Sequence, residues 1–563
     1  MADLFSSKQF ARFTEKAIYK LLGGFADSLN DGPSFINAAE YDSRYFYEGS
    51  KKFRKNPSKN SFWSLGYAIK DLTPYDYLER DYYLGGYLTP DNGFNNRIQK
   101  LIDKMQCRII AIDDNSGNGT SFFATIDCIG TGNAHIKLIR RRFADLIKYS
   151  HPDAKIASVN VFSTHAHSCV DTQGLWTDTV SKFLHNKKKN KKGKGTYLDG
   201  ADSEFMNILA SKIAEGLLEA YENMVPGTLT LAKKDIGDNY FNNKNRKSAT
   251  SLVTTITRLI FTPDDETKTP TVIATIGAHP DVAGLPTSDG HGTGRDLCGE
   301  YIYYMGETVN KAGYNFMFFN GAICAIYMSC GASDDGVTLA HRYEKSVRYG
   351  IELGRILLSL TKTEDEIRAS KLLYDEEEIE RDTKDAEKNG CKYSLWCENW
   401  LPVKETSVKP LLNIRLKEVR LSVTNPLIEI VGKLNLVSYK VLRENDGTYS
   451  VVTEIGYMQI GKELNIVMVP GEFCADLLDG GESLKAESSF NNTNFPYPPL
   501  TEIFGKELVA FGLANDAIGY IVPDNDYILG EFANHYHELI GIGKHAGSTI
   551  IKAFMEMRSE LGV

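Results

Sequence analysis

The sequence predicts an α/β fold in which a mixed sheet forms the core and helices cover it. From about residue 61 onward, short apolar runs alternate with segments of helical periodicity. Several of the apolar runs would be hydrophobic on both faces of a strand, as a sheet covered on both sides requires. The chain has 563 residues, 42% of them hydrophobic, so it is long enough to bury a large core. We therefore expect one large domain preceded by an extension.

The individual elements follow from the same two periodicities. The predicted strands are Arg108–Ile112, Ser121–Ile126, Ala157–Ser163, Thr228–Ala232, Arg258–Thr262, Val272–Gly277 and Asn315–Phe319. The predicted helices are Ile136–Tyr149, Glu204–Asn223, Leu297–Ala312 and Leu339–Leu360. Further strand-like runs lie near residues 411–423, 428–440 and 464–469, and a long helical tail is predicted from about Leu529.

Three polar or charged segments stand outside this core pattern. Residues 1–60 form an extension with one amphipathic helix, in which Phe10, Phe13, Ala17 and Leu21 recur at helical spacing between basic residues. We expect this stripe to pack on its own domain, with docking to a membrane or a partner as the alternative. The lysine run of residues 185–195 predicts a solvated loop, with contact to an anionic surface as the alternative. Residues about 362–390 predict a charged, solvated helix or flexible insertion.

Composition excludes several classes of protein. A net charge of −9 is the opposite of the basic field that nucleic-acid binders present. The nine cysteines are odd in number and form no CxxC pair, so they indicate neither a disulfide framework nor a zinc ribbon. No segment reaches the ~18 apolar residues of a membrane span. The first residues lack the apolar core of a signal peptide, which predicts a cytoplasmic protein, with secretion as the alternative. Oligomeric state stays open.

Two histidines follow one of the predicted strands directly. His165 and His167 come after the apolar run that ends at Ser163. Because residues two apart in a strand share a face, both imidazoles can point into a crevice beyond the strand end. Imidazole is a common transition-metal ligand and a common acid or base near neutral pH. The pair therefore predicts a metal-dependent site.

Two other strand ends carry residues of the same kind. His279 follows the strand near residue 272, and Glu472 follows the run 465–469 after a Pro-Gly turn. Histidines together with one glutamate are a common ligand set for catalytic zinc. Spacing alone does not show that the strand ends converge. A single histidine at a strand end is also common as a hydrogen-bonded structural residue.

The order of several short motifs resembles the neutral/alkaline non-lysosomal ceramidase family. The family's TxHxHS, AHP, PGEF and GY(I/V) stretches have counterparts around His165, His279, Glu472 and Tyr520. Residues 65–74 resemble its opening GxAxxDITP segment, Asp127 lies at the end of its first buried strand, and residues 319–322 resemble its FxNGA segment. The resemblance spans roughly residues 61–545. It implies that residues 61–563 form a neutral-ceramidase-like catalytic domain.

The resemblance also implies roles for particular residues. Zinc would be bound by His165, His279, Glu472 and Tyr520. His167 would lie beside the scissile amide. Arg246, in a loose match to the family's NRS segment, would help bind the reacting carbonyl.

The departures from the family pattern concern its hydroxyl groups. Tyr327 stands where the family has its serine, and only a two-residue shift would bring Ser329 there. A second family tyrosine corresponds to Phe532, and we expect no counterpart of the C-terminal β-sandwich. Tyr327 is therefore a candidate catalytic residue.

The resulting functional expectation is a zinc-dependent hydrolase. We expect cleavage of an amide bond of a lipid-like N-acyl (ceramide-like) substrate, or of an ester bond. Metal-bound hydroxide would replace the serine. The alternative is an inactive relative that binds a lipid or a partner.

Overall fold

The predicted apolar runs form the strands of two sheets in a computed structural model of the chain. The structure describes residues 8–86, 96–193, 195–243, 252–281, 295–329, 342–370, 399–531 and 535–562. In chain order the strands are β1 (Phe35–Asn37), β2 (Trp63–Asp71), β3 (Lys100–Leu101), β4 (Gln106–Asp113), β5 (Thr120–Ile126), β6 (Ile156–Ser163), β7 (Val225–Asp235), β8 (Phe241–Asn243), β9 (Thr255–Pro263), β10 (Thr271–Ile276), β11 (Asp296–Leu297), β12 (Asn315–Asn320), β13 (Ile326–Met328), β14 (Thr406–Val408), β15 (Leu412–Ser422), β16 (Val441–Arg443), β17 (Tyr449–Ile460), β18 (Leu464–Met468), β19 (Glu472–Phe473), β20 (Leu508–Phe511) and β21 (Tyr520–Ile521).

Most of the helices lie between these strands. They are α1 (Lys8–Asp27), α2 (Asn133–Ser150), α3 (Thr179–Lys192), α4 (Ser203–Glu222), α5 (Glu300–Lys311), α6 (Arg342–Ser359), α7 (Glu364–Ala369), α8 (Pro426–Lys433), α9 (Ala475–Asp479), α10 (Leu500–Phe504) and α11 (Ala546–Leu561). A 3₁₀ segment, Tyr536–Ile540, precedes α11. Within the described residues, no helix has the length and apolar content needed to cross a bilayer.

The larger sheet has nine strands and is mixed. Its order is β12-β10-β9-β7-β2-β4-β5-β6, and β14 pairs with β7 at the middle of the sheet. The pairs β10/β12 and β5/β6 are parallel, whereas the central pairs are antiparallel. Along this order β6 runs opposite to β10 and β12, so strand pairing alone does not bring their ends together. The rings of Phe162 and Phe319 nevertheless lie 4.8 Å apart, and Nδ2 of Asn320 donates to the carbonyl oxygen of Thr164 at 2.8 Å. The end of β6 therefore lies beside the end of β12, and the loops that follow Ser163, Ile276 and Asn320 contribute to the site.

The smaller sheet has the order β1-β16-β17-β18-β20, with β15 paired to β17. It covers one face of the larger sheet, and the rings of Phe319 and Phe511 stack with centroids 4.2 Å apart at this interface. Helices α2 and α4 cover the other face through residues such as Phe143 and Ile213. Strands of the larger sheet are apolar on both sides because a sheet lies on one face and helices lie on the other.

A buried ion pair connects these layers. Arg140 of α2 donates two hydrogen bonds to Glu454 of β17, at 2.7 and 2.8 Å, and both side chains are fully buried. Asp516 lies beside this pair and accepts hydrogen bonds from the backbone amides of Asn133 and Ala517. The polar groups at the junction of the two sheets are therefore fixed by specific partners, as buried charges require.

The predicted α/β fold with a mixed, helix-covered sheet is confirmed, and each strand and helix predicted between residues 108 and 360 has a counterpart among the described residues. The runs near 411–423 and 464–469 are β15 and β18. The strand predicted near 428–440 is wrong, because α8 begins there. Asn425 caps the amide of Leu427 and Pro426 occupies the first turn, so the capping signal prevails over the β-branched run.

Two segments, the lysine run and the helical tail, also differ from expectation, whereas the charged stretch does not. The lysine run lies largely in helix α3 and not in a loop, because Asn186 and Asn190 are buried and bond to backbone groups of neighbouring segments. The helical tail begins at Ala546 and not near Leu529. Of the charged stretch 362–390, residues 364–369 form α7 and residues 371–390 lie outside the described residues.

The face of α1 that packs on the domain is not the one predicted. Ala11 and Ala26 are buried, whereas Phe13 and Leu21 of the expected packing stripe are 70% and 73% exposed. The packing face is offset around the helix from that stripe. Residues 35–37 of the same extension add an edge strand, β1, to the smaller sheet. The extension is thus attached to the domain by α1 and β1.

Candidate functional site

His165 lies two residues beyond β6, in a backbone conformation that residues other than glycine rarely adopt. Its φ is +68°, in the left-handed region. The buried imidazole is fixed by its Nδ1 atom, which lies 2.7 Å from the carbonyl oxygen of Ile129. A carbonyl oxygen only accepts hydrogen bonds, so Nδ1 carries the proton and the lone pair is on Nε2. Such an unusual φ is typical of functional sites.

His279 is held in the same way at the end of β10. Its backbone amide and its Nδ1 atom both lie 2.9 Å from the carbonyl oxygen of Ile326. The residue forms a parallel bridge with Tyr327 of β13, and the two rings stack with centroids 4.7 Å apart. Here too Nδ1 donates, which leaves the lone pair on Nε2.

Glu472 is placed by a short strand pair. In the parallel pair β19/β21, Glu472 is in register with Tyr520. The Oε2 atom of Glu472 lies 3.0 Å from Nε2 of His279 and 3.3 Å from Nε2 of His165. Burial would raise the pKa of Glu472, but the charges and hydrogen bonds of the two histidines hold it well below its usual range. Burial alone would lower the pKa of His279, but the hydrogen bond and the charge of Glu472 outweigh burial and raise that pKa above its usual value.

These three side chains form an arrangement that fits a cation. Two imidazoles whose Nδ1 protons are already donated turn their Nε2 atoms toward one carboxylate oxygen. Lone pairs and a negative charge in close contact repel one another unless a proton or a metal ion lies among them. Donation of Nδ1–H to a carbonyl is also the usual way in which metal-ligating histidines are oriented. Imidazole nitrogens together with a carboxylate suit zinc.

His167 adds a third imidazole to the group. One ligand atom from each of His165, His167 and His279 lies within 4.8 Å of the others. Gly86 packs on the His167 ring, and a Cβ atom at that position would come within 2.5 Å of Nδ1. Removal from bulk water, and next the nearby His165 and His279, hold the pKa of His167 well below its usual value. The His167 imidazole is therefore neutral at physiological pH.

Three tyrosines, Tyr327, Tyr520 and Tyr536, line the same cavity beside the histidine group. The hydroxyl of Tyr536 lies 2.5 Å from that of Tyr327 and 3.5 Å from that of Tyr520. Burial raises the pKa of Tyr536 to about 12, and burial together with the charge of Glu472 raises that of Tyr520 well above its usual value. Tyr520 and Tyr536 are therefore neutral hydroxyls at physiological pH and can donate hydrogen bonds.

Histidines, glutamate and tyrosines share one cavity of about 230 Å³. Away from these polar groups its wall is mainly apolar. The apolar side chains are those of Ile129, Leu175, Trp176, Ile428, Val437, Leu513, Ala517, Ile518 and Ile540. The cavity thus combines a group of titratable residues with an apolar wall, which is the usual composition of a small-molecule site.

The structure brings together most of the residues that the sequence singled out. His165, His167, His279, Glu472, Tyr520 and Tyr327 all line this cavity. Arg246 and Phe532 lie outside the described residues. Ser329 is not among the described residues that line the cavity, and its backbone amide donates to the carbonyl of Tyr240.

Sequence reasoning missed several residues of the cavity, and three of them show why. Tyr536 stands between His535 and His537, and this aromatic triplet was a usable signal for a site residue. Asp281 follows His279 by two residues, so a carboxylate near that imidazole could have been expected. Trp176 lies in an irregular segment, where no local pattern marks it.

Comparison with solved structures finds proteins of similar fold, whereas comparison of the sequence finds no match. No protein-family model and no curated protein matches the sequence. Among solved structures, the chain is similar to the neutral ceramidase from Pseudomonas aeruginosa, with a TM-score of 0.54 and 12% identity over 90% of this chain and 75% of that one. A ceramidase complexed with C2 gives a TM-score of 0.54 and 12% identity over 89% and 75% of the two chains. At this identity the similarity concerns architecture, and the described part of the chain has the fold of a neutral ceramidase.

Proposed function

We propose that this protein is a zinc-dependent hydrolase that cleaves an amide or ester bond in a lipid-like N-acyl substrate. The observation that carries the proposal is the convergence of His165, His279 and Glu472, with both Nε2 atoms facing one carboxylate oxygen, at one side of a largely apolar cavity. The fold of a neutral ceramidase supports the same reaction class.

In this proposal His165, His279 and Glu472 would hold the metal, with His167 or Tyr520 completing its ligands. A zinc ion bound there would lower the pKa of a water molecule to roughly 7 and polarise the substrate carbonyl. Tyr520 is a neutral phenol in the protein alone, because burial, and next the charge of Glu472, raise its pKa well above the usual value. His167 is a more readily available ligand than Tyr520, since its imidazole is already neutral without any bound cation.

If His167 is not a ligand, it can carry the proton of the reaction. A water oxygen attacks the carbonyl carbon, and its proton passes to a ring nitrogen of His167. The carbon–nitrogen or carbon–oxygen bond of the substrate then breaks, and His167 returns the proton to the leaving atom. The hydroxyls of Tyr327 and Tyr536 can donate hydrogen bonds to the oxygen that becomes negative. No serine nucleophile is required.

The apolar wall indicates the kind of substrate. Side chains such as Leu175, Trp176 and Ile428 offer an acyl chain a surface that excludes water. A polar amide or ester group would then lie against the histidines. We therefore propose a substrate with one hydrophobic chain next to the scissile bond.

Metal analysis and turnover test the proposal together. Elemental analysis of the purified chain should give stoichiometric zinc in wild type, and much less in His165→Ala and His279→Ala. A panel of fluorogenic N-acyl amides and esters should be hydrolysed by wild type and not by His165→Ala. His151→Ala is the matched control, because His151 is partly exposed and pairs with Glu222 far from the cavity. Wild type that lacks bound metal, or equal turnover in all variants, would contradict the proposal.

A second candidate function follows from the ring of Tyr327. That ring stacks on His279 in the place where the family has a serine, so the cavity can hold a lipid without cleaving it. A lipid- or partner-binding protein that retains the fold would bind an N-acyl lipid in wild type and hydrolyse none of the panel. Turnover that is abolished by His165→Ala excludes this alternative.

A further inference from the structure

Two helices that contribute nothing to the histidine group form a surface that is both basic and apolar. Helix α1 and helix α3 meet where the rings of Phe25 and Phe183 lie 6.4 Å apart. Lys187 lies over both rings, at 5.0 and 5.8 Å from their centroids. The contact is extended by paired hydrogen bonds between Asn30 and Asn190. The two helices are therefore in contact at the C-terminal end of α1, and their exposed side chains are treated together as one patch.

Large apolar side chains on this patch are exposed. Phe13 is 70% and Leu21 is 73% exposed on α1, and Leu21 lies one turn before Phe25. On α3, Val180 and Leu184 are 54% and 60% exposed, and Leu184 is adjacent to Phe183. Single exposed apolar residues are ordinary, but several on neighbouring helices mark a contact site.

The charges around these apolar side chains are mostly positive, and the exposed carboxylate on α1 and α3 is that of Asp27, in the last turn of α1. Lys16 and Lys20 are exposed on α1, and Lys188, Lys191 and Lys192 are exposed on α3. Helix α3 contains no acidic residue, and the carboxylate of Glu15 on α1 accepts a hydrogen bond from the amide of Leu529. Within the described part of the chain, none of these five lysines has a carboxylate within ion-pair distance. The patch is positive although the chain as a whole carries −9.

The same helices are attached to the wall of the cavity. The segment that contributes Leu175 and Trp176 to the wall leads directly into α3 at Thr179. Helix α8, which contributes Ile428, is the element on which the C-terminal part of α1 packs, through Ala26 and Ile430. Whatever binds to the patch would therefore lie next to the elements that enclose the cavity.

We propose that this patch docks the protein on bilayers that contain anionic phospholipid. The residues that would contact the bilayer are Phe13, Lys20, Leu21, Leu184, Lys188 and Lys191. Apolar side chains that enter the boundary between head groups and acyl chains, flanked by lysines that contact anionic head groups, are the pattern of helices that lie on membranes. A nucleic acid would use the lysines but offers no place for Phe13, Leu21 and Leu184, so the observations favour the bilayer.

Vesicle sedimentation with the full chain tests the docking. Wild type should bind vesicles of phosphatidylcholine with phosphatidylserine far better than vesicles of phosphatidylcholine alone, and salt should weaken the binding. The double variant Lys188→Gln/Lys191→Gln should reduce the partition coefficient by roughly tenfold or more. The double variant Phe13→Ala/Leu21→Ala should reduce it to a similar extent, and without any change in the effect of salt.

Matched controls remove the same chemical groups elsewhere. Lys59→Gln/Lys268→Gln removes two exposed lysines, and Tyr149→Ala/Leu401→Ala removes exposed side chains that are 92% and 75% accessible. Both controls should bind as wild type does. His165→Ala should also bind as wild type does, so failure of docking and failure of hydrolysis are distinguishable. Equal binding to both vesicle types, equal loss in variants and controls, or binding of duplex DNA in preference to vesicles would overturn the proposal.

Discussion

His279 and Tyr327 are linked through both their backbones and their rings. They form a parallel bridge, and the Tyr327 ring stacks on the imidazole at 4.7 Å with an interplanar angle of 22°. The hydroxyl of Tyr327 then meets that of Tyr536 at 2.5 Å. The tyrosine therefore fixes one face of a histidine and also presents a hydrogen-bond donor to the cavity.

Removal of that hydroxyl should impair turnover without disturbing the fold. Tyr327→Phe retains the stacked ring and loses only the donor, so we expect kcat to fall by about a hundredfold and zinc content to stay unchanged. Tyr439→Phe is the control, since Tyr439 lines the same cavity. Steady-state kinetics and elemental analysis check both variants. Full activity in Tyr327→Phe would show that this hydroxyl has no part in the reaction.

Gly86 should be required for activity because its lack of a side chain leaves room for His167. A methyl group in Gly86→Ala would lie within 2.5 Å of Nδ1 and displace the imidazole. A displacement of this size is expected to lower kcat/KM by about a hundredfold.

Gly117→Ala separates this effect from backbone strain. Gly86 has φ +125° and Gly117 has φ +89°, so both substitutions strain the backbone, but a Cβ at 117 meets no atom within 4 Å. Kinetics and thermal unfolding of both variants make the comparison. Equal losses of activity in the two variants would contradict a specific role for Gly86.

The Arg140–Glu454 pair should contribute strongly to stability. Glu454→Gln leaves the buried guanidinium without its countercharge, which is expected to cost about 3–5 kcal/mol. In the exposed control Glu556→Gln, whose partner is Lys417, the cost should be about 0–1 kcal/mol. Denaturant unfolding at neutral pH gives both values. Similar midpoints for the two variants would refute the assignment.

Asp516 should make the protein less stable as pH rises. Burial raises the pKa of its carboxyl from 3.8 to about 7 in the folded protein. Between these two values the folded state keeps a proton that the unfolded state has released, so stability falls as pH rises through this window. Below the window both states are protonated, and above it both are ionised.

The variant Asp516→Asn tests this sign. It retains an acceptor oxygen for the amides of Asn133 and Ala517, and it should flatten the decline in stability between about pH 4 and about pH 7. Asp153→Asn, at an exposed position, should leave the decline unchanged. Denaturant midpoints across this pH range are the measurement. A slope in Asp516→Asn equal to that of wild type would contradict the raised pKa.

The sequence could predict each site residue only within its own segment. His165, His279 and Glu472 all follow apolar strand runs, and that signal is local. Their convergence depends on pairings such as Glu472 with Tyr520 and His279 with Tyr327, between residues that are far apart in the chain. Short strands of two or three residues carry these pairings, and no periodicity can be read from so few positions.

Where local signals compete, the outcome depended on tertiary contacts. Residues 427–431 have the composition of a strand, but Asn425 and Pro426 begin a helix there. In α1 the predicted stripe leaves Phe13 and Leu21 exposed, and the packing face is instead formed by Ala11, Ile18, Leu22, Phe25 and Ala26. Both sides of the helix carry apolar residues, so tertiary contacts decide which side is buried. Periodicity thus identified the helix but not the side that packs.

The wide spacing of the site residues has a consequence for biosynthesis. His165 and Tyr520 are separated by about 350 residues, and Glu472 reaches the histidines only once β19 has paired with β21. Most of the chain must therefore emerge from the ribosome before a complete binding site can exist. A nascent chain that exposes the histidines cannot yet offer the carboxylate beside them. If the proposed metal binding and hydrolysis are correct, both would be confined to the finished protein, and truncation before residue 520 should eliminate both.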